Sequence, residues 1–335
     1  MQTSEKPNID KFRFRGLHPD ALIGMASDRY AGWTGQIYSE ERYKGQMTRR
    51  THTVGGKSFV EEVLPVESVE EYFEHFPVLE IDYTFYRLLF EKDRKPTQNY
   101  HILRKYRQHM KEGDSLILKV PQVIFARRLR RGAGFVENEA YLNPEIFTHQ
   151  FYHPAVEILG PTLTGFIFEQ EYHPKKDRID TDELARSLDT FFEKIPRDTR
   201  YHVELRTEAY LTDAVFHVLE RHGVGLVLSH WTWLPPLWKQ FAKAGERFFN
   251  SGGRCIIRLI TPLRMSYEDS YAKTFPFDRM VEGMVNPQMI EDSVRLIREA
   301  IRRQRKIAII INNRAGGNGP LIAQQVATGF LATNV

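Results

Sequence analysis

Apolar runs rich in β-branched residues recur along the chain, separated by stretches whose apolar positions follow a helical period. Eight of these runs read as buried strands: 21–27 (ALIGMAS), 78–83 (VLEIDY), 115–121 (SLILKVP), 163–171 (LTGFIFEQE), 202–207 (HVELRT), 224–231 (VGLVLSHW), 254–259 (RCIIRL) and 306–313 (KIAIIINN). Between them, segments 66–76, 186–195, 212–223 and 286–304 carry amphipathic helical patterns, several with a capping residue or a glycine at the C-terminal end. A βα unit repeated eight times predicts an α/β fold, a closed (β/α)8 TIM barrel. A doubly wound open sheet is the alternative. The segment IGMASDRYAGWTG after the first run lacks the GxGxxG spacing, which weakens a dinucleotide-binding reading. Residues 1–18 read as an N-terminal arm and 19–335 as one barrel domain, with 28–66 a long insertion after the first strand.

Strand parity then locates the charges. In HVELR, Val203 and Leu205 face one way, toward the helices, and Glu204 and Arg206 face the barrel axis near its C-terminal mouth. The same count turns Leu79, Ile81 and Tyr83 outward and Glu80 and Asp82 inward, and puts Glu169 and Glu171 on one face. Lys119 and Arg258 come late in their runs, and Asn312 and Asn313 close the last one. Burying ions without partners costs several kcal/mol, so these groups form either a functional pocket or a self-neutralising ionic layer.

Composition narrows the setting. Of 335 residues, 41% are hydrophobic and 12% aromatic, enough for a large core. No segment approaches the roughly 18 uninterrupted apolar residues of a membrane span. The N-terminus has no signal-peptide pattern, and Cys255 is the only cysteine, so a cytoplasmic protein without disulfides or membrane attachment is expected. A net charge of +4 suits small anionic ligands but does not argue for nucleic acid. The basic run RRLRR (127–131) reads as a solvated loop or helix end.

Five segments, in order, resemble the domain-of-unknown-function 72 family of TIM-barrel proteins. LEIDYTFYRLL (79–89) is similar to its Val-Glu-Ile-Asn-x-Thr-Phe-Tyr-Arg signature, AGWTGQIYSE (31–40) to its Gly-Trp-x-Gly-x-Phe-Tyr-Pro segment, and LILKVP (116–121) to Phe-x-x-Lys-x-Pro. VELRTEAY (203–210) is similar to Val-Glu-x-Arg-x-x-Ser-Trp, and IINNRAGGNGP (310–320) to the closing Tyr-x-x-Phe-Asn-Asn. The resemblance runs from about residue 20 to 330. It implies a fold and marks Trp33, Thr84, Tyr86, Arg87, Lys119, Glu204, Arg206, Arg258, Asn312 and Asn313 as pocket residues, but implies no reaction, since the family has no established activity. Asp82 stands where the family has Asn, Tyr210 where it has Trp, and segments 44–59 and 258–280 look longer or altered. These departures imply a divergent subgroup with its own ligand preference.

The expected function is an enzyme acting on a small anionic or phosphorylated substrate. Arg87, Arg206, Arg258 and Lys119 are the anion-binding candidates. Glu204 is the expected general acid or base, with Asp82 and Lys119 as further catalytic candidates. Trp33, Thr84, Tyr86, His230, Asn312 and Asn313 complete the binding set. The glycine-rich segment NNRAGGNGPLIAQQ follows the last strand and precedes a predicted helix, where a phosphate would meet backbone N–H groups. No cofactor is specified. A divalent metal on Glu169, Glu171, Glu204, Asp82 and His230 is a weaker variant, because no HxH or HExxH spacing occurs. The alternative from another class is a non-catalytic binder of a sugar, nucleotide or single-stranded nucleic acid, with Trp33, Tyr38, Tyr86, Trp231, Trp233 and Trp238 as an aromatic mouth.

Overall fold

The computed structural model describes residues 7–132 and 134–332. Twelve strands occur in it: β1 (Ala21–Ala26), β2 (Thr48–Val54), β3 (Lys57–Val63), β4 (Val78–Ile81), β5 (Ser115–Lys119), β6 (Arg128–Arg131), β7 (Gly134–Glu137), β8 (Leu163–Glu169), β9 (Tyr201–Glu204), β10 (Gly225–His230), β11 (Arg254–Leu259) and β12 (Lys306–Ile311). Eight of them close an all-parallel barrel in the order β1-β12-β11-β10-β9-β8-β5-β4, with β4 pairing back onto β1. This is the expected (β/α)8 barrel. No described helix is long and apolar enough to cross a membrane.

All eight runs form strands, but most end one to three residues before the apolar pattern does. Past the last ladder partner the backbone turns away, as at Tyr83–Tyr86, which coils into a 3-10 turn capped by Asp82. The helices follow their signals. Asn286 caps Pro287–Arg302 through its side chain, and Gly223, with φ 64°, ends Asp213–His222 in the left-handed conformation that glycine tolerates.

The barrel interior is layered. Ala26, Val78, Ile117, Ile167, Val227, Ile256, Ala308 and Ile310 form a buried apolar cluster on the axis. Two residues further along the strands, the inward positions become Glu80, Lys119, Glu169, Glu204, Ser229 and Arg258. Leu79, Ile81, Val203 and Leu205 face outward into the larger cluster under the helices, as parity requires.

Two hairpins depart from the bare barrel. Within the 28–66 connection, β2 and β3 pair antiparallel. Phe59 packs on Tyr271 at 5.0 Å and on Phe275 at 5.3 Å, so the two segments that depart from the family pattern meet each other. The second hairpin, β6–β7, contains most of the RRLRR run, so that run is an exposed strand rather than a loop or helix end. Arg128 there pairs with Asp177 at 3.1 Å. Below the barrel, the described part of the N-terminal arm packs down, with Phe14 stacked on Phe76 at 5.0 Å and Arg15 bonded to Asp114 at 2.8 Å.

Barrel closure depends on a close approach at Gly24, where a Cβ would lie 2.0 Å from the Val78 carbonyl oxygen across the β1–β4 seam. Gly24→Ala is expected to cost about 1–3 kcal/mol or more through overpacking. Gly134→Ala, with nothing within 4 Å of the added carbon, should change stability by no more than about 0.5 kcal/mol. Urea unfolding of the two variants checks the contrast.

Candidate functional site

The charges at the strand ends converge on one guanidinium. Arg258, on β11, donates from Nε and Nη2 to the two oxygens of Glu80 at 2.7 and 2.6 Å, and from Nη1 to Glu169 at 3.0 Å and to Glu204. Glu169 also accepts from Lys119 Nζ at 2.7 Å and Arg206 Nη2 at 2.8 Å. The Glu204 carboxylate lies 3.5 Å from Arg206 Nε and accepts from the Ser229 hydroxyl at 2.5 Å. Three carboxylates meet three cations, so the network is formally neutral. Glu80 and Glu204 are fully buried and Arg258 nearly so.

The carboxylates are not equivalent. Burial alone would raise Glu169, but Arg206, Lys119 and Arg258 outweigh it and hold that carboxyl well below its usual range. At Glu80 burial wins, and the carboxyl is pushed up even with Arg258 and Lys119 nearby. Burial opposes the charge on Arg258, yet Glu204, Glu80 and Glu169 keep it firmly protonated.

The remaining candidates fall into distinct places. Lys119 Nζ sits 4.0 Å from the centre of the Phe85 ring, and the Thr84 hydroxyl donates to the Lys119 carbonyl at 2.7 Å, clasping the end of β5. Arg206 lies 5.0 Å from the Trp231 ring. Trp33 is buried and donates from Nε1 to Asn313 Oδ1 at 3.0 Å, and the same oxygen accepts from the Gly319 N–H at 2.7 Å. Trp33 and Asn313 therefore tie the first loop to the last one. Asn312 caps the Asn313–Ala315 turn by accepting from the Arg314 N–H. Tyr86 is exposed over the mouth.

Several expectations are corrected. Arg87 is exposed and pairs with Glu91 at 2.5 Å, four residues on, because the turn after β4 carries it away from the axis. His230 lies on the outward parity of β10 and bonds through Nδ1 to the Thr261 carbonyl at 2.9 Å, so it packs under the helices rather than in the mouth. Glu171 lies past the end of β8, accepting from the Arg128 N–H and pairing with His173 at 2.9 Å, so it does not share a face with Glu169. The N-terminus of helix Gly319–Leu331 offers no open phosphate cradle. Asn313 takes the Gly319 N–H, Asn318 takes that of Leu321, and position 320 is proline. Among the described residues, no group of three or more His, Cys, Asp or Glu side chains is placed to hold a metal; the carboxylates converge on arginine instead.

The aromatic set also divides. Trp231 and Trp233 stay near the mouth, with Trp233 stacked on Tyr172 at 5.5 Å. Tyr38 is buried beside Trp33, and its hydroxyl donates to the Asp28 carbonyl. Trp238 lines a cleft of about 740 Å³ on the outer helices. Of its four arginines, Arg302 and Arg303 pair with Glu299, Arg298 bonds the Phe330 carbonyl, and Arg295 lies over the Trp238 ring at 3.3 Å.

Two charges at the mouth remain uncompensated. Arg314, in the turn after β12, stacks over Tyr267 at 4.4 Å; among the described residues it forms no ion pair, and its buried Nε has no hydrogen-bond partner. Asp82, half-buried after β4, forms no ion pair or side-chain hydrogen bond among the described residues. The hydroxyls of Tyr30 and Tyr86 lie within electrostatic reach of both. Protein crowding around the Tyr86 hydroxyl, although its ring is exposed, and the negative charge of Asp82 push it up to about 12. Sequence reasoning passed over Arg314 and Tyr267. For Arg314 the signal was its place, directly after the last apolar run.

Replacing Arg258 with methionine would leave three buried carboxylates short of a partner. It is expected to cost about 3–5 kcal/mol at pH 7, with part of the loss recovered at lower pH as Glu80, already pushed up by burial, takes up a proton; urea midpoints at pH 7 and pH 5 test this. Burial lowers His230 to about 4. Since the unfolded imidazole titrates near 6.5, its contribution is complete above that pH and is lost as pH falls toward 4, by up to about 3 kcal/mol. The stability slope across pH 4–6.5 should therefore flatten in His230→Gln.

Residues 22–333 match the family described as protein of unknown function DUF72. The chain is similar to crystal structures of DUF72 family proteins from Enterococcus faecalis (14% identity, TM-score 0.54, covering 94% of this chain and 96% of that one) and Thermotoga maritima (13% identity, TM-score 0.52, covering 93% and 99%). At that identity the likeness speaks to the barrel alone. No curated protein matches the chain. The family match spans nearly the whole barrel, from the second residue of β1 to the end of the last helix, and the chain belongs to the DUF72 family of proteins of unknown function.

Proposed function

We propose that the mouth of the barrel binds a small anionic or phosphorylated substrate through Arg314 and acts on it by carboxylate chemistry at Asp82. The observation that carries this reading is the state of Arg314. It is a guanidinium at the C-terminal end of the barrel that has no carboxylate partner among the described residues, is steadied by Tyr267, and keeps a buried Nε with no hydrogen-bond partner there. Such a group binds phosphate or carboxylate bidentately. Site placement supports the reading, since TIM-barrel active sites lie at this face.

Roles then differ from those the strand pattern favours. Glu204 is fully buried and held by Arg258, Arg206 and Ser229, which suits it to stiffening the floor. Asp82 is accessible and unpaired, so it is the group able to accept a proton from a substrate hydroxyl or amine. Lys119 and Arg206 reach the surface only at their edges and share Glu169. They would add positive potential beneath the ligand without surrendering their ion pair.

A second reading rests on Trp233, which is 47% exposed and stacked on Tyr172. An exposed aromatic step beside the mouth supports a non-catalytic binder of a planar ligand such as a nucleotide or sugar. Substitution of Asp82 separates the two: loss of turnover with retained binding belongs to the enzyme, unchanged behaviour to the binder.

Titration with inorganic phosphate, followed calorimetrically at low salt, tests the proposal. Arg314→Gln should weaken phosphate binding at least about tenfold, the loss of one charge-assisted contact, whereas Arg87→Gln and Glu204→Gln should not. Equal affinity in Arg314→Gln and the wild type contradicts it.

A further inference from the structure

Beside the mouth runs a groove of about 510 Å³, walled by the β2–β3 hairpin on one side and the Phe275–Asp278 turn on the other. Tyr30, Gly32, Val60, Glu61, Phe275 and Asp278 line it. Its floor lies close: a Cβ on Gly32 would stand 2.6 Å from the Pro276 carbonyl oxygen, so the two walls meet beneath the groove. The Oγ1 of Thr34, also in the lining, is buried without a hydrogen-bond partner among the described residues.

Tyr30 joins this groove to the mouth. Its ring packs on Trp33 at 4.9 Å and edge-on against Phe277 at 5.4 Å, which fixes its position. Its hydroxyl lies within electrostatic reach of Asp82, Arg314 and Tyr267 in the mouth and of Glu61 in the groove. The two cavities therefore share a wall residue that both sets of charges can sense.

The groove has the opposite charge balance to the mouth's Arg314. Arg49 is neutralised by Glu62 at 3.0 Å, whereas Glu61 and Asp278 form no ion pair among the described residues. Arg50 stands opposite Glu61 in the hairpin register, and His52 is also near, but neither bonds to it. The lining thus holds two carboxylates with no direct ion-pair partner among the described residues, Glu61 being only partly offset by Arg50 and His52, between aromatic and aliphatic walls, an arrangement suited to a protonated amine on a short organic scaffold.

We propose that the groove is the second half of the substrate site and takes the amine-bearing end of the ligand whose anionic group Arg314 holds. The proposal rests on the reading of Arg314 given above and adds the substrate class: a small zwitterion with a phosphate or carboxylate at one end and an ammonium at the other. It also gives the long connection after β1 a function. The hairpin supplies Glu61, so this insertion selects the substrate rather than merely covering the barrel.

Two sugar phosphates that differ by one amine serve as probes. Wild-type protein is expected to bind glucosamine 6-phosphate at least about threefold more tightly than glucose 6-phosphate at low salt, a modest factor because the groove is open to solvent. The doubly substituted protein, Glu61→Gln with Asp278→Asn, should lose that preference while keeping the wild-type melting temperature. Equal binding of the two sugars by the wild type, with both weakened by Arg314→Gln, overturns the groove assignment and leaves the Arg314 site standing. A preference that survives the double substitution also overturns it. If neither sugar phosphate binds, and inorganic phosphate binding does not depend on Arg314, both readings fall together.

Discussion

Arg258 occupies the axis of a closed barrel, above a buried layer of valine, isoleucine and alanine. A guanidinium there is tolerable only if its donors are taken, and three strands, β4, β8 and β9, each send a glutamate to take them. Those glutamates introduce three negative charges, which Lys119, Arg206 and Arg258 balance. Such a network contributes little net stability over an apolar interior of the same shape, but removing one partner is costly. It consequently makes the barrel's upper interior rigid and intolerant of change.

Rigidity and neutrality together decide where chemistry can occur. Glu169, ringed by three cations, is held well below the usual carboxylate range, and an arginine bonded to three carboxylates has little left for a substrate. On the proposed reading the floor is a scaffold and the ligand meets the rim. There Asp82 and Arg314 sit in the turns after their strands, and neither forms an ion pair among the described residues. Tyr30, Tyr86 and Tyr267 lie around them.

The eight strands, their order and the inward parity of Glu80, Lys119, Glu169, Glu204 and Arg258 were legible from the sequence, because a strand buried on both faces alternates strictly and any charge in it must point to the axis. Parity failed where the ladder stops. Asp82, Glu171, Arg206 and Asn313 lie beyond the last paired residue, and only Arg206 still reaches the axis network. His230 was misplaced for a different reason: Ser229, not the histidine, is the inward residue of that pair. The β2–β3 hairpin was invisible because TRRTHTV is polar and largely exposed, with no alternation for a core to impose. Nor could sequence tell which arginines would be consumed by carboxylates from distant strands, and that distinction separates Arg258 from Arg314.

On the proposed reading the strand-end charges form a closed, self-satisfied floor and Arg314 is the cation that meets the ligand. Nitrogen–proton correlation spectra of the arginine side chains during phosphate titration measure this directly. The account predicts that the Arg314 Nε–H resonance moves with added phosphate, while that of Arg258 stays fixed and exchanges slowly with solvent. Phosphate-dependent shifts at Arg258, with Arg314 unmoved, would contradict it.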